Sequence, residues 1–341
     1  MPTIEFTGPD ATSRVGPVNR ALVRAAVAAR CAPSLFNSQP WCWRIAADVA
    51  ELRADREHQL HTIDPDGRLL MISCGAALHH AWTALAGVGA IAEVLRAPDP
   101  ADPDLLARIR VTGFGTPSPA AVRRQQTIAL RRTDRRPFAD SEVPAPALDA
   151  LRAAAEANGA HLYLLRPEDV VTLTVAAAHA GATEFADPAF RAELAAWSAR
   201  PSDAREGVPA SSGGPARPRP VPVRDFTLGA PPARVGTELA DRYARYTVLF
   251  TDADTPASWL AAGEALSAVL LTATTERLAA SPMSDVAEVP AARQLLRDLL
   301  SGIGYPALAL RVGVPADGWL SKTRRRPAAD TVHVSRLRRT G

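Results

Sequence analysis

The alternation of apolar and polar positions divides the first part of the chain into helices and short strands. Residues 18–30, VNRALVRAAVAAR, carry apolar residues at helical spacing after Gly16-Pro17, which is typical of a helix with proline in its first turn. The segments WCWRIAAD and ELRAD alternate with period two, so they predict a hairpin. Further elements are predicted as a helix at 73–89 and strands at 92–97 and 107–113.

A second series of elements follows residue 118. The predicted helices are AAVRRQQTIALRR, APALDALRAAAEANG, PEDVVTLTVAAAHAGATEF, AFRAELAAWSA, ASWLAAGEALSAVLLTATTERLAA and PAARQLLRDLLSGIG, and the predicted strands are HLYLLR, YTVLFTD and PALALRVG. A helix in each series carries Gly-x-Ala-Leu, at Gly75 and at Gly263, and a strand ending in glycine follows each. We therefore predict an α+β protein made of two tandem pseudo-repeated halves, residues 1–117 and 118–341.

Residues 201–235 interrupt the second half. Proline, glycine, serine and arginine dominate this stretch, with SSGGPARPRPVPV at its centre. A segment of this length without periodicity is typical of a lid or a linker. The Arg-Asp-Phe at 224–226 is expected to anchor its far end.

Composition narrows the class of protein. The chain has 341 residues, of which 47% are hydrophobic and 22% are charged, as in globular proteins. The 3 cysteines are odd in number and form no CxxC, and the histidines show no metal-ligand spacing, so we predict neither a disulfide framework nor a metal site. The N-terminus lacks a signal-peptide pattern, and no apolar run reaches about 20 residues. We therefore expect a cytoplasmic protein without a membrane partner.

The positive charge is gathered in two places. The net charge is only +3, and Lys322 is the single lysine among 39 basic residues. The segments RRTDRRPF (131–138) and KTRRR (322–326) concentrate arginine, which is suited to bidentate binding of phosphate. The alternative is a solvated charge run that reflects the arginine-rich composition. Nucleic-acid binding is disfavoured, because aromatic residues do not interleave the arginines.

The loop CAPSLFNSQPW (31–41) carries a second candidate chemistry. Ser34, Asn37, Ser38 and Gln39 lie between its two prolines. Amide side chains both donate and accept hydrogen bonds, which suits the edge of a ring such as a pyrimidinedione. The alternative is a turn whose polar side chains satisfy only its own backbone.

No familiar catalytic motif accompanies these segments. No GxGxxG follows a strand, and GxxxxGK[ST], GxSxG and HExxH are all missing. We assign no catalytic residue. If the protein is an enzyme, we expect a cofactor to carry the difficult chemistry.

Together the two segments resemble the nitroreductase superfamily. PSLFNSQPW resembles the flavin-contacting loop of that family, and RRTDRRPF resembles its phosphate-binding segment. Their reversed order along the chain is similar to the Acg-type proteins of actinobacteria, in which two nitroreductase-like halves are fused. The resemblance extends over most of the chain and implies the nitroreductase-like fold, with antiparallel-type sheets wrapped by helices.

The resemblance also implies an FMN site built from both halves. The first half would supply Pro33, Ser34, Leu35 and Asn37 beside the flavin ring, with Gln39 stabilising the loop. The phosphate would be held by Arg131, Arg132, Thr133, Arg135, Arg324 and Arg325. The register of Arg135 against Arg136 stays open, and Thr323 occupies a position that is often lysine in the family. Met283 and its neighbours would bring backbone amides to the ring.

The implied function leaves two alternatives. The first is an NAD(P)H-dependent flavin oxidoreductase that reduces nitro or quinone-like aromatic substrates, and we lean toward this enzyme. The second is an FMN-sequestering storage protein with little or no nitroreductase activity, in which residues 201–235 form a lid over the flavin. Because each motif occurs once, we expect a single FMN per chain. Since fusion removes the need to dimerise, we also expect a monomer.

Overall fold

The computed structural model describes residues 16–198, 200–201, 203–209, 218–224, 226, 240–318 and 320–335. The helices are α1 (Pro17–Ala29), α2 (Arg68–Gly87), α3 (Pro119–Leu130), α4 (Ala145–Glu156), α5 (Val170–Ala186), α6 (Pro188–Trp197), α7 (Pro256–Thr275), α8 (Asp285–Glu288), α9 (Pro290–Leu299) and α10 (Ala328–Thr331). The strands are β1 (Trp41–Ala46), β2 (Val49–Ala54), β3 (Ala90–Arg96), β4 (Leu105–Phe114), β5 (His161–Leu164), β6 (Arg245–Thr251), β7 (Ala279–Met283), β8 (Tyr305–Gly313) and β9 (Val332–Val334). Each predicted helix and strand is present, but the helix predicted over residues 257–280 ends at Thr275, and its last two residues belong to β7.

Proline and short polar side chains set where many of these helices begin. The helices α1, α3, α6, α7 and α9 all start at a proline, whose missing N–H would have no intrahelical partner at that position. Ser118 caps α3 by accepting a hydrogen bond from the Ala121 N–H at 3.1 Å. Thr255 caps α7 in the same way.

The two halves repeat one sheet topology. The first sheet has the strand order β3-β4-β2-β1-β9, and the second, read from its far edge, has the order β7-β8-β6-β5. The pairs β1/β2, β2/β4 and β3/β4 are antiparallel, as are β5/β6, β6/β8 and β7/β8. The helices α2 and α7 occupy equivalent places, between the second and third strands of each half. The pseudo-repeat predicted from Gly-x-Ala-Leu is therefore confirmed.

The two halves join where α2 crosses α7. A Cβ atom added to Gly75 would lie 2.0 Å from the carbonyl oxygen of Leu260, and one added to Gly263 would lie 2.0 Å from that of Ile72. The two glycines therefore face each other at the closest approach of the helices. The repeated motif of the sequence marks the contact between the halves.

Apolar side chains cover both sheets. The first sheet packs against α1 and α2, whereas α4 and α7 cover one face of the second sheet and α5 and α9 cover the other. By length and composition, α2 and α7 could each cross a membrane, but 89% and 67% of their apolar windows are buried inside the protein. Both therefore serve as core helices here.

The C-terminal strand crosses from the second half to the first. β9 pairs in parallel with β1, so one pairing departs from the antiparallel pattern. β9 has three residues, which is too short for periodicity to predict. The boundary between residues 117 and 118 stays a prediction, because α3 packs against both α2 and α7. The central residues 210–217 and 227–239 of the predicted lid region lie outside the described part of the chain.

Candidate functional site

The loop between α1 and β1 adopts an unusual backbone. Phe36, Asn37 and Gln39 have φ values of 45°, 58° and 51°, in the left-handed region that residues other than glycine seldom occupy. Ser34 supports the loop, because its hydroxyl accepts a hydrogen bond from the Gln39 N–H at 3.0 Å. Strained conformations of this kind persist where the surroundings enforce them, and they are concentrated at functional sites.

Gln39 ties this loop to two distant segments. Its Nε2 donates to the carbonyl oxygens of Arg205, at 2.8 Å, and of Asn37, at 3.1 Å. Its Oε1 accepts a hydrogen bond from the Arg326 N–H at 2.9 Å. Gln39 is fully buried and lies behind the loop surface, so it stabilises the loop instead of facing a ligand.

The arginine segment 131–138 lies along the free edge of β7. Thr133 forms a parallel bridge with Ala280, and the Asp134 N–H donates to the Ala280 carbonyl oxygen at 3.0 Å. Because α3 ends at Leu130, the first arginines of the segment follow directly from a helix. This arrangement brings the segment beside Ser281 and Met283.

A buried ion pair fixes the register of that segment. Arg311 on β8 is fully buried, pairs with Asp241, and donates to the carbonyl oxygens of Asp134 and Arg136 at 2.9 and 3.0 Å. The Asp134 carboxylate lies 2.9 Å from Nη2 of Arg136 and holds that side chain away from the loop. Arg135 is therefore left as the arginine that faces the interior.

Two adjoining cavities open between the arginine segment and the loop. The apolar cavity is lined mostly by hydrophobic side chains, among them Leu35, Phe36, Ile72, Phe226, Leu266 and Met283. The basic cavity is lined by Cys31, Asn37, Arg131, Arg132, Lys322, Thr323 and Arg325, among others. Pro33, Ser34, Thr133 and Arg135 line both cavities, so the two adjoin at these residues.

Arg131 lines the basic cavity and keeps buried hydrogen-bond donors that are unused among the described residues. Its side chain is 5% exposed, and its Nε and Nη1 have no partner in the described part of the chain. Its Nη2 donates only to the Cys31 carbonyl oxygen, at 3.3 Å. Burial, followed by the charge of Arg325, lowers the pKa of Arg131 to about 9. A buried cation in this state is stabilised by an anion that accepts its free N–H groups.

The neighbouring guanidinium groups are also without carboxylate partners among the described residues. Arg325 donates to the backbone carbonyls of Arg30, at 2.9 Å, and Thr323, at 3.2 Å, and burial above all lowers its pKa to about 10. Arg132 donates only to backbone carbonyls. Burial, with the charge of Arg224, lowers the pKa of Arg135 to about 10. The basic cavity therefore has the charge and donors of an anion site.

The far end of the 201–235 insertion reaches the apolar cavity. Phe226 lines it and meets the ring of Phe36 edge-on, with the ring centres 5.5 Å apart. The guanidinium of Arg135 lies 4.8 Å from the centre of the Phe226 ring. Arg224 is buried between Glu184 and Glu288, with its Nη2 2.5 and 2.6 Å from their carboxylate oxygens. Arg224 thus anchors this end of the insertion, while Asp225 lies outside the described residues.

The structure brings most of the residues predicted from the sequence together. Those that line one or both cavities are Pro33, Ser34, Leu35, Asn37, Arg131, Arg132, Thr133, Arg135, Met283 and Arg325. Gln39 lies behind them, and Arg324 lines a separate groove on the outer side of the basic cavity. Sequence reasoning missed Lys322, although it is the single lysine and belongs to KTRRR. It also missed the cavity role of Phe226, for which the sequence gives no local signal.

A cluster of charges connects the near end of the insertion to this site. His58 Nδ1 lies 2.8 Å from Asp55 Oδ2, and His58 Nε2 lies 3.1 Å from Glu206 Oε1. Arg326 contacts the same two carboxylates, at 3.0 and 3.2 Å. The next residue after Glu206, Gly207, lines the basic cavity. The cluster therefore holds one wall of that cavity in place.

We expect this cluster to make stability depend on pH above the unfolded pKa of His58, about 6.5. The hydrogen bond to Asp55 raises the pKa of His58 against the opposing effect of burial. The stabilisation is complete below the unfolded pKa of about 6.5 and is lost as pH rises through the folded pKa. The temperature of the thermal unfolding midpoint should decrease as the pH rises through this range. In His58→Gln the midpoint should depend less on pH. His179→Gln, at an exposed position on α5, is the matched control. An unchanged profile in His58→Gln would argue against the cluster.

Known proteins of Mycobacterium tuberculosis are similar to this chain. "Putative NAD(P)H nitroreductase Rv3131" is 38% identical over 284 residues, which cover 83% of this chain and 81% of the relative. "Putative NAD(P)H nitroreductase acg" is 32% identical over 322 residues, which cover 93% of this chain and 97% of the relative. No family model matches the chain.

Among solved structures, the FMN-dependent nitroreductase NfnB from Mycobacterium smegmatis, in complex with NADPH, is 16% identical. The alignment covers 64% of this chain and 100% of the NfnB chain, with a TM-score of 0.40. The assignment rests on the sequence relatives, whose similarity extends over both halves and both cavity segments. The chain belongs to the nitroreductase superfamily and, within it, to the Acg-type proteins.

Proposed function

We propose that the chain binds one FMN between its two halves and acts as an NAD(P)H-dependent oxidoreductase on nitro- or quinone-like substrates. The observation that carries this proposal is Arg131, whose buried Nε and Nη1 lack acceptors in the described part of the chain. A phosphate monoester has several oxygens that could accept these N–H groups together with those of Arg132 and Arg325. The names of the relatives, which include NAD(P)H nitroreductase, support the reductant.

The residues around the cavities fit the two ends of FMN. Arg131, Arg132, Arg325 and Lys322 would hold the phosphate, because they supply cationic donors to the basic cavity. The apolar cavity offers Leu35 and Met283 to an aromatic ring and the hydroxyl groups of Ser34 and Thr133 to its polar edge. The proposed site therefore has a basic end and an adjoining apolar end.

The protein's own part in the reaction would be to bind and orient. Bound FMN supplies hydride and electron transfer, which no side chain in the cavities provides. Gln39 and the Arg311–Asp241 pair hold the two walls of the site without lining it. Phe226 and Phe36, whose rings are in contact, would limit the access of water to the apolar cavity.

Anaerobic reduction of the purified protein tests this function. We expect the FMN-loaded protein to show a flavin absorption spectrum that bleaches rapidly when NADPH is added and returns when a quinone is added. The holoprotein is desalted first, so that only bound FMN remains. A sample of free FMN without protein serves as the control, because apoprotein mixed with FMN would rebind it. A protein that binds no FMN would refute the proposal.

The contacts of Phe226 favour a second candidate, which is storage of FMN under a lid. Its side chain is 8% exposed and lies within the apolar cavity, where a substrate would have to approach the flavin. In that case the bound flavin should stay oxidised after NADPH is added. Phe226→Ala should then accelerate reduction, whereas Phe185→Ala, at a side chain that is 74% exposed, should not.

A further inference from the structure

Cys31 lies where the basic cavity meets the surface. It lines that cavity and also an outer groove with a volume of about 580 Å³. Its thiol is free and half-buried. The other cysteines differ: Cys74 is fully buried and donates to the Pro40 carbonyl oxygen at 3.1 Å, and Cys42 lies within β1. Cys31 is therefore the cysteine that borders both spaces.

Cationic groups without carboxylate partners surround this thiol. Arg131 is 5% exposed and lines the cavity, and its Nε and Nη1 have no partner among the described residues. Its Nη2 donates to the carbonyl oxygen of Cys31 itself. Arg132 and Arg325 line the same cavity, and in the described part of the chain neither has an ion pair. These unpaired cations favour the approach of an anionic reagent to the cavity that Cys31 lines.

The outer groove would guide an anionic reagent to the thiol. Arg30, Arg205, Lys322 and Arg324 line it, and no acidic residue does so among the described residues. Arg205, Lys322 and Arg324 are exposed to solvent. A concave surface of one sign of charge raises the local concentration of the opposite ion and its association rate.

We propose that Cys31 is a modification site that exchanges with anionic low-molecular-weight disulfides, and that its modification closes the basic cavity to phosphate. The Cys31 thiol releases its proton to solvent, and the resulting thiolate attacks one sulfur of the disulfide. A new S–S bond forms at Cys31 as the original S–S bond breaks. The other half of the reagent leaves as a thiolate and takes up a proton, so Cys31 is oxidised and one thiol is released.

A modified Cys31 would affect the site because the attached group and a phosphate would occupy the same cavity. A group attached to Cys31 would occupy the cavity lined by Arg131 and Arg132 and would bring its carboxylates to their free donors. Only this last step, the loss of FMN binding, rests on the proposed function. Exchange at the thiol and its competition with phosphate do not require a flavin.

Glutathione disulfide, which carries a net negative charge at neutral pH, is a suitable probe. The reduced full-length apoprotein is incubated with it, and each cysteine is quantified by peptide mass spectrometry. We expect Cys31 to react about tenfold faster than Cys42 or Cys74. Inorganic phosphate should slow the reaction at Cys31, and so should FMN. Bis(2-hydroxyethyl) disulfide, which is uncharged, should show much less preference for Cys31.

Two sets of variants then test the charge of the outer groove and the thiol of Cys31 separately. The double variant Arg205→Gln/Arg324→Gln should react more slowly with glutathione disulfide at Cys31. Its reaction with the uncharged disulfide should keep the wild-type rate. After treatment, the wild-type protein should lose FMN binding, whereas Cys31→Ser should bind FMN equally before and after treatment. Equal modification of the three cysteines, no modification of Cys31, or insensitivity to inorganic phosphate would each overturn the proposal. A protein that binds no FMN but shows phosphate-sensitive exchange at Cys31 would refute only the proposed function.

Discussion

Alanine at both Arg131 and Arg132 is expected to weaken FMN binding by at least about 100-fold while leaving riboflavin binding almost unchanged. The two guanidinium groups line the basic cavity and have no carboxylate partner in the described part of the chain. A hydrogen bond to a charged group contributes about 1.5–3 kcal/mol, so the loss of two such contacts weakens binding by at least two orders of magnitude. Fluorescence titration of the apoprotein with each flavin measures both affinities.

Two controls separate loss of the phosphate contact from loss of the fold. Arg123→Ala, at an exposed position on α3, should leave both affinities unchanged. Arg131→Met keeps much of the apolar stem but removes a buried charge with unused donors, so the apoprotein should melt at the same temperature or higher. Equal losses of FMN and riboflavin binding would contradict the phosphate assignment.

Alanine at Gly75 or Gly263 is expected to prevent the two halves from packing. Each added methyl group would lie 2.0 Å from a backbone carbonyl oxygen of the opposite helix. A backbone cannot rotate away as a side chain can, so α2 and α7 would have to separate along their whole contact. We expect each variant to lose at least about 4 kcal/mol of its free energy of unfolding, which is at the extreme of single substitutions. Urea denaturation followed by circular dichroism measures this loss.

Gly181→Ala is the matched control within the same chain. Gly181 lies inside α5, and a Cβ atom there would have no neighbour within 4 Å. Alanine has the higher helix propensity by about 1 kcal/mol, so this variant should be slightly more stable than the wild type. If all three variants behaved alike, the close helix crossing would not explain the effect.

The main elements of the fold could be predicted from the sequence because their patterns are local. The apolar spacing of α7 and the uninterrupted apolar run of β8 are visible in a short window of residues. β9 could not be predicted, since its three residues become a strand only by pairing with the edge of β1. β7 was missed for a similar reason. Its first residues, Ala279 and Ala280, continue the alanine-rich pattern of α7, and its strand geometry comes from pairing with β8.

The candidate site was only partly accessible to sequence reasoning. The residues alone left RRTDRRPF open to interpretation as a surface charge run, and the family resemblance was needed to connect it with the loop at 31–41. The choice between Arg135 and Arg136 depends on Arg311 and Asp241, which lie far along the chain. No local pattern can reveal that the buried Nε and Nη1 of Arg131 lack an acceptor among the described residues, since burial depends on how the two halves pack.

The central claim is that one anion-binding cavity between the two halves holds the phosphate of a single flavin. Isothermal titration of the wild-type apoprotein with FMN, and separately with riboflavin, tests it most directly. We predict one FMN per chain and a riboflavin affinity lower by at least about 100-fold, because riboflavin lacks the group that Arg131, Arg132 and Arg325 would bind. Two FMN per chain, or equal affinities for the two flavins, would contradict the account.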